Sequence, residues 1–425
     1  MHARFVTRRR FLESAVLVVG GSLLAACQSA GPPPATGPAS SAATAPPPAA
    51  TTAPAAQSGA AAAITIGSVM PLTGRYASLA EQVKNGYDLA FADLNKTSKI
   101  QLQLKVLDDG SDPTNTVQRL ESLSSSDTPL AFLGGAGSDL HAAAAAVADK
   151  NKTPYLGIAF ALLSVHQRGL KYLFSPFQKS PQLAKSVFDM MDTLSPKPTR
   201  VAVFEEKTDW GAELSGMWQQ EAKTRGYEVV AVEQYTPGAT DYSAPILKAK
   251  SGNADTLLAL PAPPDGFAIA KQMKELDYMP KLAHMVRAPD GLVWGQNLGK
   301  DGDWFVLAPG WHPDVKFPGA KELAQAHQAK YNKPAEVLVG PAYSAVQILF
   351  DAVNKVGKPD RDLLRDAIAA TDMMTVAGPI KFNPDGTAQA ITVMDQWLGG
   401  KQVLVWPKDQ ATQGLDYPAK AWGSR

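Results

Sequence analysis

The segment that decides the fold is "PLAFLGGAGSDLHAAAAAVADK", residues 129–150. A short apolar run comes first, a turn with three glycines follows, and an alanine-rich stretch begins at Ser138. This pattern is typical of a strand, a glycine loop and a helix. The neighbouring segments "ITIGSVMPLTG" (64–74), "IQLQLKVLDDGSDP" (100–113) and "PYLGIAF" (154–160) also begin as strands. The resulting order β-α-β-α-β predicts a parallel sheet with helices on both faces.

The pattern starts again at "TRVAVFEE" (199–206), a strand that leads into a helix closed by Gly226. Further strands are predicted at 227–235, 255–261, 281–286 and 303–309, and helices at 211–225, 264–277, 319–331, 340–356 and 361–370. The segment "ITVMDQWLGGKQVLVWP" (391–407) predicts a hairpin that turns at Gly399-Gly400. About 360 residues follow residue 63, too many for one typical core, so the sequence predicts two α/β lobes.

Residues 1–26 have the character of an export signal. Basic residues at 4 and 8–10 precede Ala15–Ala26, an uncharged and mostly apolar run of twelve residues. At about 1.5 Å per residue this run would extend about 18 Å, which is short of a ~30 Å hydrocarbon core. The segment "TRRRFL" (7–12) resembles the twin-arginine export motif, although Glu13 stands where lysine is usual. An arginine-rich Sec signal is the alternative.

Cys27 is the only cysteine of the chain, and it directly follows this apolar run. The tetrapeptide "LAAC" (24–27) resembles a bacterial lipobox, in which the thiol takes the lipid. Residues 28–63 carry no charged side chain and consist almost entirely of Ala, Pro, Ser, Thr and Gly, so they predict a disordered tether. We therefore expect a signal peptide at 1–26, a lipidated cysteine and linker at 27–63, and an extracytoplasmic lipoprotein anchored to a membrane.

Composition and motifs argue against several classes of function. The chain has 41 basic and 40 acidic residues and no basic helix, so nucleic acid is not an expected partner. No disulfide or thiolate site remains once Cys27 is lipidated, and the six histidines lack metal-ligand spacing. No serine-hydrolase elbow, zinc-protease motif or phosphate loop occurs. We expect neither an enzyme nor a bound metal or cofactor.

Two loops carry polar residues that allow more than one interpretation. "DDGSDP" (108–113) is either a cation loop or, by preference, a solvated loop in which Asp112 caps a helix that starts at Pro113. Ser138 stands at a helix N-terminus, where free N–H groups favour an anion, but it could instead cap its own helix. In parallel sheets ligands bind beyond the carboxyl ends of strands, where the loops at 74–79, 138 and 159–161 are expected.

The motifs taken together resemble the periplasmic binding proteins of the leucine/isoleucine/valine type. The resemblance rests on "IGSVMPLTGRYAS", "VKNGYDLAFADLN", "DDGSDP", "FLGGAGS", "RGLKYLFSP", "DWGAE" and "DYSAPILKAKSGNAD", which follow one another in the family's order. It implies two Rossmann-like lobes joined by three hinge crossovers, near 174–184, 308–318 and 376–382. Lobe 1 would comprise 64–180 plus 312–378, and lobe 2 would comprise 181–311 plus 379–425.

The resemblance also implies a set of ligand-binding positions. Ser138 falls on the serine that holds an α-carboxylate, and Ala159 on a backbone carbonyl that faces the ligand. The remaining positions are Trp210 as the aromatic cover, Ala161 in place of a threonine, Ala262 in place of a tyrosine, Leu79 with nearby Tyr76 in place of a first-loop aromatic, Phe160 as additional aromatic surface, and Arg287 or Asp290 near the acid that binds an α-ammonium.

These implications predict a solute-binding lipoprotein that delivers a small amino acid or a related carboxylate to an ABC permease of the branched-chain amino acid type. Because alanines replace two polar family residues, two ligand classes stay open. One is a bulky aromatic or aliphatic carboxylate held by Ser138 or Arg287, and the other is a branched-chain amino acid with Asp290 at its ammonium. A ligand sensor for a signalling partner and an exported hydrolase are the alternative functions.

Overall fold

The computed structural model describes residues 63–425, so the predicted export signal, Cys27 and nearly all of the linker lie outside the described residues. The first sheet begins with the predicted strand at 64–70. Its strands are β1 (Ile64–Met70), β2 (Leu102–Asp108), β3 (Phe132–Gly134), β4 (Tyr155–Leu156) and β5 (Leu173–Phe174). They lie in the order β2-β1-β3-β4-β5, and every neighbouring pair is parallel. The predicted parallel sheet is confirmed.

Helices from both ends of the described chain pack on this sheet. They are α1 (Ala77–Leu94), α2 (Pro113–Ser126), α3 (Ser138–Lys150), α9 (Ala320–Tyr331), α10 (Val339–Val356) and α11 (Arg361–Ala369). Helix α1 approaches α10 closely, since a Cβ added at Gly86 would lie 2.5 Å from the carbonyl oxygen of Val339. Phe91 and Phe350 meet edge to face across the same contact, with centroids 5.6 Å apart.

The second sheet contains seven strands and receives the late hairpin. Its strands are β6 (Arg200–Glu206), β7 (Glu228–Tyr235), β8 (Thr256–Ala259), β9 (Leu282–Met285), β10 (Phe305–Leu307), β13 (Met394–Leu398) and β14 (Lys401–Trp406). The order is β14-β13-β10-β9-β8-β6-β7, and β13 runs antiparallel to β10. The predicted hairpin with its turn at Gly399-Gly400 is confirmed, because Leu398 pairs with Lys401.

Five helices belong to the part of the chain between β5 and β10. They are α4 (Ser180–Met191), α5 (Asp209–Arg225), α6 (Ser243–Ser251), α7 (Pro263–Glu275) and α8 (Val293–Leu298). A small antiparallel sheet, β11 (Asp372–Thr375) with β12 (Gly378–Lys381), follows α11. Short 3-10 helices lie at His166–Arg168, Ala288–Asp290, Gly299–Gly302 and Trp422–Ser424.

The chain passes between the two groups of elements three times, after β5, after β10 and after β12. Hydrogen bonds join these passages to one another: Ser175 N–H donates to Gly386 O (2.8 Å), and Gln178 Nε2 donates to Ala308 O (2.6 Å). The third passage follows Lys381, at the end of the crossover predicted near 376–382, because residues 378–381 pair with β11. The lobe boundaries themselves stay a prediction.

The acidic loop at 108–113 forms a cap and a set of local turns. Asp112 accepts a hydrogen bond from Asn115 N–H, and Pro113 occupies the first helical turn of α2. Asp108 binds Thr73 and the amide of Gly110, while Asp109 accepts from Thr116 Oγ1. The preferred interpretation as a loop with a helix cap is therefore confirmed. Within residues 63–425 no cluster of three or more metal-ligating side chains occurs, and no helix has the length and apolarity needed to cross a bilayer.

Candidate functional site

A cavity lies where the loops after the first-sheet strands face the loops after the second-sheet strands. About 410 Å³ of space that is not filled by atoms lies between its walls, part of it open to solvent. Most of its lining is apolar, as is usual for small-molecule sites. The lining residues are Leu79, Gly137, Ser138, Ala159, Phe160, Ala161, Phe177, Gln178, Leu183, Trp210, Val286, Arg287, Asp290, Ala308 and Leu338.

Ser138 is the first residue of α3 and lies in the cavity wall, with only 3% of its surface exposed. The N-cap position belongs to Gly137, and the Ser138 side chain makes no capping hydrogen bond. Its hydroxyl oxygen instead accepts a bond from Ala161 N–H at 3.3 Å. The alternative that Ser138 merely caps its own helix is therefore wrong. Its hydroxyl and the first-turn amides of α3 form an anion-favouring wall.

The loop after β4 closes this wall from the side. Ala159 has a φ of 54°, a left-handed conformation that is uncommon for alanine, and its carbonyl accepts from Gly137 N–H at 3.2 Å. Ala161 offers its carbonyl to the amide and the hydroxyl of Ser180, at 2.9 and 3.0 Å. These bonds fix the loop against both α3 and the start of α4, so the positions predicted at Ala159 and Ala161 do line the cavity.

Phe160 lines the cavity with basic side chains packed behind it. Its ring stacks on His141 at 4.3 Å and on His166 at 5.8 Å, and Lys179 Nζ lies 3.5 Å from the ring centroid. Lys179 Nζ also donates to Phe160 O (2.9 Å) and Ser175 Oγ (2.7 Å). Burial lowers the pKa of Lys179 well below its usual value, and it lowers the pKa of His141 to about 4. The contacts with His141, His166 and Lys179 fix the position of the Phe160 ring.

Trp210 stands in the first turn of α5, whose N-cap Thr208 accepts a bond from Gly211 N–H. The indole Nε1 donates to Ser180 Oγ at 3.2 Å, and the side chain is buried. The family resemblance predicts that Trp210 covers the ligand. In the structure Trp210 is one of the residues that line the cavity.

Arg287 lies in the lining but is committed to partners of the protein itself. Its Nη2 donates to Glu206 Oε2 at 2.5 Å and to Leu260 O, Nε donates to Pro261 O at 3.4 Å, and Nη1 donates to Tyr76 Oη at 3.2 Å. Burial opposes the charge, but the neighbouring Glu206 carboxylate keeps the pKa of Arg287 raised. Glu206 and backbone carbonyls occupy the guanidinium fork in this structure, and the contact of Arg287 with a ligand carboxylate stays a prediction.

The backbone at Arg287 is strained. Its φ of 81° and ψ of −52°, with the bond from Ala288 N–H to Val286 O, define a γ-turn of the rare positive-φ type. Such conformations cost about 1–3 kcal/mol and persist only where surrounding contacts hold them. The side-chain bonds of Arg287 supply these contacts, and the turn directs the following residues, Ala288–Asp290, to the cavity.

Asp290 lies in the cavity lining with 6% of its surface exposed. Its Oδ1 has no hydrogen-bond partner among residues 63–425. Burial raises the pKa of Asp290 to about 8, although Arg287 acts in the opposite direction. The backbone that carries it is held by the late hairpin: Trp397 Nε1 donates to Pro289 O (2.8 Å), and Gln402 Nε2 donates to Pro289 O and Asp290 O (2.8 and 3.1 Å).

The other predicted positions separate into two groups. Leu79 lines the cavity, whereas Tyr76 lines an adjoining outer pocket that shares Ser138, Trp210 and Arg287 with it. The Tyr76 hydroxyl donates to Asp139 Oδ1 at 3.2 Å. Ala262 is the N-cap of α7, is fully buried, and does not belong to the lining. The predicted role of Ala262 in ligand binding stays a prediction.

Several lining residues were not predicted. Phe177 and Gln178 come from the first passage between the sheets, Ala308 comes from the second, Leu183 comes from α4, and Leu338 precedes α10. No motif marks them, because their position depends on how three distant chain segments meet. Four of the five lie within the expected crossovers at 174–184 and 308–318, whereas Leu338 lies in neither.

Comparison with known proteins agrees with this architecture. A family model described as "Periplasmic binding protein" matches residues 63–399. The chain belongs to this family. A curated relative, the Leu/Ile/Val-binding protein homolog 8 of Brucella abortus (strain 2308), is 26% identical over 374 residues, with 82% of this chain and 91% of the relative covered.

Two solved structures have the same fold. One is LivJ of Streptococcus pneumoniae in complex with isoleucine, with a TM-score of 0.75 and 20% identity over 81% of this chain and 100% of that one. The other is a solute-binding protein of an ABC transporter from R. palustris in complex with benzoate, with a TM-score of 0.74 and 18% identity over 85% of this chain and 98% of that one. The family consists of solute-binding proteins.

Proposed function

We propose that this periplasmic binding protein is the solute-binding component of an ABC importer, and that its solute is a small α-amino acid with an apolar side chain. The observation that carries the proposal is the polarity of the cavity. The Ser138 hydroxyl and the N-terminus of α3 favour a carboxylate, while Asp290 Oδ1 has no partner within the described part of the chain. A zwitterion would satisfy both, because a buried carboxyl gains most from a charged donor.

The apolar lining supports an apolar side chain on the solute. Leu79, Leu183, Val286 and Leu338 contribute aliphatic surface, and Phe160, Phe177 and Trp210 contribute aromatic surface. Burial of an aliphatic side chain against them stabilises a complex by about 1.5–3 kcal/mol.

A second candidate is an aromatic or aliphatic carboxylate without an amino group. It is favoured by the three aromatic rings in the lining and by the raised pKa of Asp290, since a neutral carboxylic acid could donate to a ligand oxygen. Proteins of this fold are described with both ligand classes, isoleucine in one case and benzoate in the other.

The proposed mechanism is closure of two lobes, 64–180 plus 312–378 and 181–311 plus 379–425, about three hinges. Bonds between the two lobes support it: Arg75 pairs with Glu206 at 3.4 Å, and Leu292 N–H donates to Glu336 Oε1 at 3.0 Å. Small-angle scattering should detect a smaller radius of gyration when solute is added. The proposed anchor is the lipid on Cys27, with 28–63 as the tether.

A thermal-shift screen of amino acids, aliphatic acids and aromatic acids tests the proposal. A solute at a concentration 100 times its Kd stabilises the folded state by about 2.7 kcal/mol. We expect apolar amino acids to raise the melting temperature most. If aromatic acids alone do so, the second candidate is correct, and if no member of the three classes does, the proposed solute class is wrong.

A further inference from the structure

Gln178 is the one amide side chain of the cavity lining, and only one of its two polar atoms has a hydrogen-bond partner among the described residues. It is 1% exposed and lies in the first passage between the sheets. Its Nε2 donates to Ala308 O, in the second passage, at 2.6 Å. Its Oε1 is buried and meets no donor anywhere in residues 63–425. A buried amide oxygen without a partner is costly, so it requires an explanation, and a ligand that donates to it is one.

The orientation of this amide is fixed. If its oxygen and nitrogen were exchanged, the Gln178 carbonyl would face the Ala308 carbonyl and both would lose their bond. Gly310 leaves the space that the amide needs: a Cβ added there would lie 3.2 Å from Gln178 Nε2, and its φ of 86° favours glycine. Backbone and side chain thus hold Nε2 toward Ala308 and leave Oε1 as the side chain's free polar atom at the cavity.

Asp290 Oδ1 is the other buried side-chain oxygen of the lining that lacks a partner among the described residues. Each of these two oxygens needs a donor hydrogen of its own when it acts as an acceptor. The complementary group has at least two hydrogens to donate, as a primary ammonium does. A keto acid has no such hydrogen and a hydroxy acid has one.

We propose that Gln178 Oε1 accepts a hydrogen bond from the amino group of the solute and is a specificity-determining residue that selects amino acids over the corresponding keto acids. This inference rests on the proposed function and deepens it. Because the same amide is bonded to Ala308, binding of the amino group also joins the first and second passages through one side chain.

The competing explanation is that Gln178 only ties the two passages together. Gln178→Met separates the two, because methionine has a similar size and no hydrogen-bonding amide. Calorimetry with leucine and with its keto acid, 4-methyl-2-oxopentanoate, gives the ratio of their dissociation constants in the wild type and in the variant. If Gln178 is only a structural tie, the substitution should lower the affinity for both ligands equally. If Gln178 accepts the proposed bond, the substitution should lower the affinity for leucine more than the affinity for the keto acid. We expect the preference for leucine to fall about tenfold, as loss of one bond to a charged donor predicts.

Gln182→Met is the matched control. Gln182 lies four residues further on, donates to Ala388 O at 3.2 Å, accepts from Lys179 N–H at 2.6 Å, and is not part of the lining. The preference of the Gln182→Met variant for leucine over the keto acid should equal that of the wild type. An unchanged preference in Gln178→Met overturns the inference.

If Gln178→Met does not fold, Gln178→Glu provides the test. Burial favours the protonated form of a glutamate at this position, so its O–H can donate to Ala308 O while its carbonyl oxygen takes the place of Oε1. Its preference for leucine should then equal that of the wild type. A lower preference would contradict the inference. The proposed function fails separately, when wild-type protein binds neither leucine nor the keto acid.

Discussion

Binding of an amino acid should release a proton from this protein. Asp290 is buried without a partner among the described residues, and burial raises its pKa to about 8. The charged groups that act on it are Arg287, which stabilises the carboxylate, and Asp395 of β13, a fully buried carboxyl whose own pKa is raised well above its usual value. An ammonium group beside Asp290 favours its charged form, so the proton leaves as the solute binds.

The size of the effect follows from the pKa. At pH 7 a group with a pKa of about 8 is about 0.9 protonated. Leucine should therefore displace about 0.9 proton per molecule bound at pH 7, and the number should approach zero above about pH 9, where Asp290 is already ionised. The keto acid lacks the ammonium and should displace none.

Calorimetry of leucine binding in buffers with different ionisation enthalpies measures this number directly. Asp290→Asn should abolish the release and weaken leucine more than the keto acid. The variant should also be stabilised at high pH, because a raised folded-state pKa means that stability is lost as pH rises from about 4 through 8. Binding of leucine at pH 7 without proton release would refute the assignment of Asp290 to the ammonium.

Three further predictions concern the anion wall, the buried ion pair and the anchor. Ser138→Ala should weaken leucine binding about tenfold, measured by calorimetry, and should lower the ligand-free melting temperature slightly because Ala161 N–H loses its acceptor; an equal affinity would exclude Ser138 from the site. Glu206→Gln should lower the free energy of unfolding, measured by urea denaturation, by about 3 kcal/mol, because it leaves buried Arg287 without its charged partner. The control is Glu228→Gln, which breaks the more exposed pair with Arg200 and should change the free energy of unfolding by less than about 1 kcal/mol. Cys27→Ser should release the protein from membranes on fractionation; retention would refute the lipid anchor.

The sequence was sufficient for most of the secondary structure, because most strands and helices carry their own local signal, but it did not predict α4, α6, α8 or the β11–β12 pair. Period-two alternation marks β2, the proline after Asp112 marks the start of α2, and the Gly399-Gly400 turn marks the hairpin. The site was predictable where the ligand loops directly follow these elements, as at Ser138 and Ala161.

The sequence was insufficient where the site depends on distant contacts. Asp290 is positioned by Trp397 and Gln402, more than 100 residues later, and Arg287 is occupied by Glu206, which lies on another strand. Gln178 faces the cavity because two passages meet. None of these relations leaves a pattern in the local sequence, because each depends on the side-chain packing of the folded protein.

The most direct test of the central claim is a calorimetric comparison of leucine, 4-methyl-2-oxopentanoate and benzoate on the wild-type protein at pH 7. An ammonium that bonds to a buried carboxylate contributes about 1.5–3 kcal/mol, which corresponds to a factor of about ten to one hundred. We predict that leucine binds at least about tenfold more tightly than either acid. Keto acid or benzoate binding as tightly as leucine would contradict an amino acid solute.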